Sequence, residues 1–363
     1  MNFKVGNNMI PSYLESIILQ CLLRINGERT VYSVYHLISG KKSSQTIQDG
    51  HLFGISKYYR TYTVISREEY DRIMLTFEEI GFIEIKQSNG EYELRERAGE
   101  MLERYRKQFP AVQHVNGFQF HGVEKDFWKK FSLIFQVLSN NVHGNNKYFS
   151  VQRDRAVQQW VKSFLFQHKD WKSLSLLLYA EMNKLLSQLL DEHGKVFLLK
   201  LSGYHRVGYS NSQIASLLDL EETYVHYLFV DVLHFLLAHT AARPESFPIL
   251  NAICNRMEER HQLPLTRSSL TTLSYLKRGY TIEEIAQARE LKRNTIEDHL
   301  VELVFHGEDI DLSPIISNNQ IEYILRIATN MQTRQLKVIK QALPDTVSYF
   351  LIRLALAKGG TLE

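Results

Sequence analysis

The apolar positions of this chain recur mostly at helical spacing, and only one short stretch alternates as a strand does. Tyr13–Ile25 is an apolar run that stops at Asn26-Gly27, a pair suited to the left-handed turn that closes a helix. Thr30–Ile38 repeats the arrangement and stops at Ser39-Gly40. Between Arg67 and Ile80, the side chains of Tyr70, Ile73, Met74, Phe77 and Ile80 fall on one face, and Gly81 ends the helix. The period then drops to two. Phe82–Lys86 and Glu91–Arg95 alternate around Asn89-Gly90, a pair that favours a tight hairpin. Three helices followed by a two-stranded wing predict a winged helix within residues 1–107. Residues 108–122 carry Pro110, Gly117 and Gly122 without a clean period and predict a linker.

Helical spacing returns downstream. Asp126–Leu138, Ala156–Gln167 and Leu174–Leu190 each carry an apolar stripe, and Lys195–Leu201 continues the helical character. Phe127, Trp128, Phe131 and Phe135 stand at helical spacing and are assigned to the core. AARPESFP (241–248) marks a boundary, and a final segment ends in VSYFLIRLALA (347–357) after Pro344-Asp345. The terminal Thr-Leu-Glu reads either as native or as a cloning remnant. The expected fold class is mainly α: an N-terminal winged helix with a small β-hairpin wing, a helical middle domain at 123–242, and a C-terminal domain at 250–363.

Two segments repeat. GYSNSQIASLLDLEETYVHYLFVDVL (208–233) and GYTIEEIAQARELKRNTIEDHLVELV (279–304) align without a gap. Gly208/Gly279, Tyr209/Tyr280, Ile214/Ile285, Ala215/Ala286 and Leu220/Leu291 are identical pairs. The Ile-Ala pair lets two helices approach closely, the Leu closes the turn, and Val225 or Ile296 anchors the second helix. These are the requirements of a helix-turn-helix. The pattern resembles region 4 of sigma factors and the LuxR-type DNA-binding domain. The turn position that usually holds Gly is Asp219 in one copy and Glu290 in the other, so a distorted second turn is expected. The second helix of copy one offers Glu221, Glu222, Tyr224 and His226, a face that phosphates repel and that suits scaffold or protein contact. Copy two offers Lys292, Arg293, Asn294, Thr295 and His299, which suit phosphate and base edges.

Composition narrows the picture only slightly. A formal net charge of +3 over 363 residues permits nucleic-acid binding without arguing for it, so any DNA surface is a local patch. Cys21 and Cys254 lie far apart in apolar runs and read as buried thiols of a reducing cytosol. No signal peptide or stretch of about 18 apolar residues is apparent, so the expected location is cytoplasmic, at the nucleoid, with no membrane contact.

Within the N-terminal domain, GKKSSQTIQDGHLFGISKYYRTYTVISREEYDRIMLTFEEIGFIEI, followed by EYELRERAGEML, resembles the RQC winged helix of RecQ-family helicases. Gly40, Ile47, Leu52, Phe53-Gly54, Ile73, Gly81-Phe82-Ile83 and Leu94 carry the likeness. Leu343-Pro344 with Ser348–Ala357 resembles the helix-turn-helix domain at the C-terminus of many RecQ-type helicases. The whole is similar to the bacterial RQC-minor group of DNA-binding proteins. The resemblance implies a wedge that grips duplex ends, forks and junctions, working with a RecQ-type helicase that lacks its own RQC domain, in repair or recombination.

A motor is not apparent. The closest string to a phosphate loop, GHLFGISK (50–57), has neither the spacing nor the Lys-Ser/Thr order. Asp191-Glu192-His193 echoes part of a helicase box but reads as a solvated helix terminus. The fourteen His form no metal-binding pattern, and no nucleophile elbow occurs. No enzyme activity, metal or cofactor is therefore expected. The candidate DNA contacts in the winged helix are Lys41, Lys42, Lys57, Tyr58 and Arg60, with Lys86 and Asn89 at the wing tip. The acidic and aromatic face Glu221, Glu222, Tyr224 and Tyr227 is the candidate docking surface for the helicase. A helix-turn-helix transcription regulator and a protein–protein adaptor without DNA binding are the alternative readings.

Overall fold

Nearly every apolar stripe becomes a helix in the computed structural model, which describes residues 12–86, 90–109, 112–254, 265, 267–331 and 336–359. In chain order these are α1 (Tyr13–Ile25), α2 (Tyr32–Ser39), α3 (Ser44–Leu52) and α4 (Arg67–Glu79), then strands β1 (Ile83–Lys86) and β2 (Glu91–Leu94). They are followed by α5 (Glu96–Gln108), α6 (Gly117–Phe120), α7 (Val123–Val142), α8 (Arg155–Gln167), α9 (Trp171–Leu186) and α10 (Asp191–Leu199). Next come α11 (Asn211–Leu218), α12 (Glu222–Ala242), α13 (Pro248–Cys254) and α14 (Arg267–Leu276). The chain ends in α15 (Ile282–Ala288), α16 (Arg293–Phe305), α17 (Asn318–Asn330), α18 (Leu336–Gln341) and α19 (Tyr349–Lys358). Asn89 and the terminal Thr-Leu-Glu lie outside the described residues. The chain divides into two units, the first within 1–17, 104–116 and 120–262 and the second within 18–103, 117–119 and 263–363.

The first unit is built on α12. This helix is apolar around its whole circumference, the pattern of a helix enclosed by protein on all sides. It is long and apolar enough to cross a membrane by length and composition, contrary to the reading of the sequence, but 67% of its most apolar 18-residue stretch is buried inside the chain. Asp231 and His234 sit on it, both buried. The Asp231 carboxylate lies 3.3 Å from His193 Nε2 and accepts the backbone N–H of His114 at 2.6 Å. His234 Nδ1 accepts the N–H of Asn116 at 2.9 Å. The expected linker is thus tied down where it crosses this helix. His193 is buried here as well, so Asp191-Glu192-His193 opens α10 and is not a wholly solvated terminus. Phe127, Phe131 and Ile134 of α7 are buried in the surrounding core, with Trp128 and Phe135 packed against it. Each fully buried side chain of that size contributes about 1.5–3 kcal/mol. Cys254 is only half-buried, whereas Cys21 in the second unit is fully buried.

In the second unit, the hairpin pairs Ile83 with Leu94 and Lys86 with Glu91 in antiparallel register. Tyr92 Oη donates to Leu22 O and Tyr70 Oη to Val31 O, each at 2.6 Å, which locks the wing and α4 to the first two helices. Gly40 takes φ +85° to close α2, as the Ser39-Gly40 stop predicts. Helix α3 is an addition to the elements predicted. Ser43 caps it by accepting the N–H of Thr46 at 3.2 Å, and its buried residues include Thr46, Gln48 and Asp49. Gln48 faces protein because α3 packs against α16 and α19, whereas Asp49 pairs with Arg29 at 2.9 Å. Ser44 Oγ donates to the buried carboxylate of Glu302 at 3.0 Å, and Gln48 Nε2 donates to Asp298 O at 3.3 Å.

Candidate nucleic-acid interface

Both repeats fold as helix-turn-helix units, and their turns match. Ser210 with Gln213, and Thr281 with Glu284, form reciprocal capping boxes at the starts of α11 and α15. Asp219 and Glu290 both adopt the left-handed conformation, at φ +53° and +52°. Leu220 donates to Ala215 O and Leu291 to Ala286 O, both at 2.9 Å. The expected distortion at Glu290 is absent, since only the helix end shifts by one residue. Ile214, Ile285, Val225 and Ile296 are fully buried, as the spacing requires.

What each second helix presents differs sharply. In copy one, Glu221 caps α12, accepting the N–H groups of Thr223 at 3.0 Å and Tyr224 at 2.9 Å. It also accepts the N–H of Tyr13 at 3.2 Å, and Leu14 donates to Thr223 Oγ1 at 2.9 Å. The Tyr13 ring sits 5.0 Å from Tyr224 and 5.5 Å from Tyr227, with Phe109 4.9 Å from Tyr224. Tyr224 and Tyr227 are therefore buried in the chain's own core. The expected docking face does not exist as a surface, because the first turn of α1 and the end of α5 already cover it. Only Glu222 of the four remains exposed.

In copy two, Lys292, Arg293 and Asn294 are exposed at the first turn of α16, and Thr295 is half-buried. A helix N-terminus presents free N–H groups and favours anions, so phosphate suits this end. The Arg293 guanidinium, however, already pairs with Glu297 at 2.9 Å and with Glu283. His299 is not part of this surface. It is buried, its Nδ1 lies 2.8 Å from Thr272 Oγ1, and burial, aided by the charge of Arg289, lowers its pKa to about 4. A His that faces α14 cannot reach a base edge.

The winged-helix candidates also separate. Lys41, Lys42 and Lys57 are exposed. Lys41 Nζ lies 3.5 Å from His36 Nε2, and Lys57 Nζ lies 5.0 Å from the Tyr58 ring centre. Arg60 takes φ +59°, and its stem lies across Gly40, where a Cβ would overlap it. Gly40 therefore brings Arg60 beside the Lys41-Lys42 pair. Tyr58 points the other way: its ring is buried and its hydroxyl donates to Gln20 Oε1 at 2.8 Å, so it offers no stacking platform. On the wing, Lys86 pairs with Glu93, and Arg95 with Glu84. These exposed pairs are individually weak, yet phosphate must displace a carboxylate to reach either cation.

The packing of α3 on α16 puts both basic patches on one unit. No group of three or more His, Cys, Asp or Glu placed to hold a metal occurs among the described residues.

Residues 268–356 match the family described as a helix-turn-helix domain, a span that holds α15 and α16. Protein YpbB of Bacillus subtilis (strain 168) is 31% identical over 350 residues, covering 96% of this chain and 98% of that one. No solved structure matches the chain.

Proposed function

The chain belongs to the family of Bacillus subtilis YpbB, and on that premise we propose that it is a non-catalytic DNA-binding protein acting beside a RecQ-type helicase. The observation that carries DNA binding is the second helix-turn-helix, whose α16 exposes Lys292, Arg293 and Asn294 at its start. It shares a unit with the exposed Lys41, Lys42 and Lys57. Cations on two elements of one unit suit a ligand that spans several phosphates. The non-catalytic part rests on the sequence, which carries no phosphate-loop pattern.

The helicase part rests on the resemblance of residues 40–102 to an RQC wedge and of the C-terminal segment to a helicase-associated module. A motor that translocates on one strand separates base pairs better with a wedge held against the duplex. Because Tyr224 and Tyr227 are internal, the partner contact does not use these two side chains.

The test is titration of the full chain against fluorescent forked and blunt duplexes, followed by unwinding of the fork by a RecQ-type helicase lacking an RQC domain. Tighter binding to the fork and faster unwinding are expected. Absence of binding to any duplex at low salt overturns the DNA reading. Binding without any change in unwinding overturns the helicase role, and preference for one defined duplex sequence over forks favours a transcription regulator.

A further inference from the structure

We propose that the first unit carries a separate site for single-stranded nucleic acid, at a groove of about 850 Å³ beside the C-terminal end of α7. The groove goes beyond the duplex reading, since it lies in the unit that holds neither α16 nor the winged-helix lysines. Its walls are the loop after α7, which carries Lys147, Tyr148 and Phe149, and the turn after α10, which carries Tyr204, His205 and Arg206.

The aromatic content is unusual for a surface. Phe149 is 99% exposed, and Tyr148 is 38% exposed. His143 stacks on Tyr204 with ring centres 4.2 Å apart and planes 15° apart, and His205 lies 4.1 Å from Tyr204. A fully exposed Phe on a wandering loop would carry no argument, but this backbone is held in place. Gln136 Nε2 donates to Phe149 O at 3.0 Å, and its Oε1 accepts the N–H of Val151 at 2.8 Å. Asn145 Nδ2 donates to Asn140 Oδ1 at 2.7 Å.

The opposite wall is equally fixed. Tyr204 donates its N–H to Ser139 Oγ at 3.0 Å, and Gly203 and Arg206 exchange backbone hydrogen bonds at 2.9 and 3.2 Å. A Cβ at Gly203 would lie 2.7 Å from Ser139 Oγ, so only Gly lets the turn sit this close to α7. His205 adopts φ +49°, the left-handed conformation that completes the tight turn.

Charge selects the ligand. Lys147 and Arg206 line the groove, and no Asp or Glu does so among the described residues. Arg206 also donates to Leu198 O at 3.1 Å, which anchors its guanidinium at the rim. Aromatic faces interleaved with cations and free of carboxylates match unpaired bases on a phosphate strand, where rings stack and cations meet phosphate. A duplex hides its base faces and does not satisfy Phe149. An apolar protein segment would satisfy Phe149 and leave the cations without partners.

The test uses the full chain carrying Lys41→Glu, Lys42→Glu, Lys57→Glu, Arg60→Glu and Lys292→Glu, which silences the nucleic-acid surface proposed for the second unit. Fluorescent oligothymidylate and oligouridylate of about 10 nucleotides are titrated by anisotropy. Saturable binding of one or both is expected, and the preferred arm identifies DNA or RNA as the source. Phe149→Ala should weaken it about 5- to 150-fold, the value of one stacked base, and Phe149→Trp should restore it. Lys147→Glu should weaken it and flatten its salt dependence. In the otherwise wild-type chain, Phe149→Ala should leave duplex affinity unchanged, so loss of this site and loss of the duplex reading are separable. Failure of both oligonucleotides to bind, or Phe149→Ala binding them as tightly as its parent, overturns the proposal.

Discussion

Arg293 is held between two carboxylates at the very turn of α16 that is proposed to meet phosphate, and releasing it should strengthen DNA binding. The perturbation is Glu283→Gln with Glu297→Gln, which removes both partners while keeping side-chain shape. The Arg293 side chain is 56% exposed, so each pair keeps one solvated partner, although that of Glu283 is 60% exposed and that of Glu297 only 13%. Such pairs are each worth about 0.2–1 kcal/mol. Phosphate no longer has to break them, so binding should gain about 0.4–2 kcal/mol, or roughly 2- to 30-fold in Kd. One added phosphate contact should also steepen the log-log salt dependence by about 0.9. The assay is anisotropy of a labelled duplex across a salt series, with Glu222→Gln as the control, because Glu222 is an exposed carboxylate on the second helix of copy one. Tighter and more salt-sensitive binding in the double variant alone supports the geometry. Equal binding by wild type and double variant, or an equal gain from Glu222→Gln, refutes the assignment of α16 to the DNA surface.

Three further outcomes follow from the same packing. Burial holds His299 to a pKa of about 4, whereas the unfolded chain takes up that proton near 6.5. The folded state therefore binds fewer protons between these values, and its stability is complete above about pH 6.5 and declines as pH falls toward 4. Urea midpoints at about pH 7 and 5 should differ less in His299→Gln than in wild type, and an equal difference would contradict the assignment. Glu290→Gly should raise stability by up to about 1 kcal/mol, because Gly accepts φ +52° without the Cβ clash, and thermal melting reads the gain. Tyr227→Phe keeps the ring packed beside Tyr13 and should bind duplex as wild type does, which a DNA-contacting role for that hydroxyl would not allow.

The elements that were legible in the sequence are those with one wet face and one dry face. Helix α4 is an example, since Tyr70, Ile73, Met74 and Phe77 are buried and the intervening positions are polar apart from the exposed Leu75. Helix α3 left no readable stripe because its buried face is largely polar, with Gln45 its exposed position. Its Gln48 and Asp49 are buried polar residues, one bonded to Asp298 O and the other to Arg29, so no apolar period survives. The segment after Pro110 reads as a linker by composition, yet it packs because two buried polar groups on α12, Asp231 and His234, accept its N–H groups. The repeat revealed both helix-turn-helix units, but not which of their side chains are outside. Tyr224, Tyr227 and His299 sit where a recognition helix would expose them, and each is covered by an element distant in sequence or by a neighbouring helix. The groove at Phe149 left almost no trace, since a single Phe in the polar run NNKYFS carries no period.

The central claim is that duplex DNA is held by the second unit, through Lys41, Lys42, Lys57 and Arg60 together with the start of α16. The most direct measurement is the salt dependence of duplex binding by the full chain, wild type against charge reversal at Lys41, Lys42, Lys57 and Arg60. Four phosphate contacts from those side chains give a log-log slope of about −3.6, and the reversed chain should lose at least that part of the slope and most of its affinity. A reversed chain that is folded, yet binds duplex with the affinity and slope of wild type, would contradict the account.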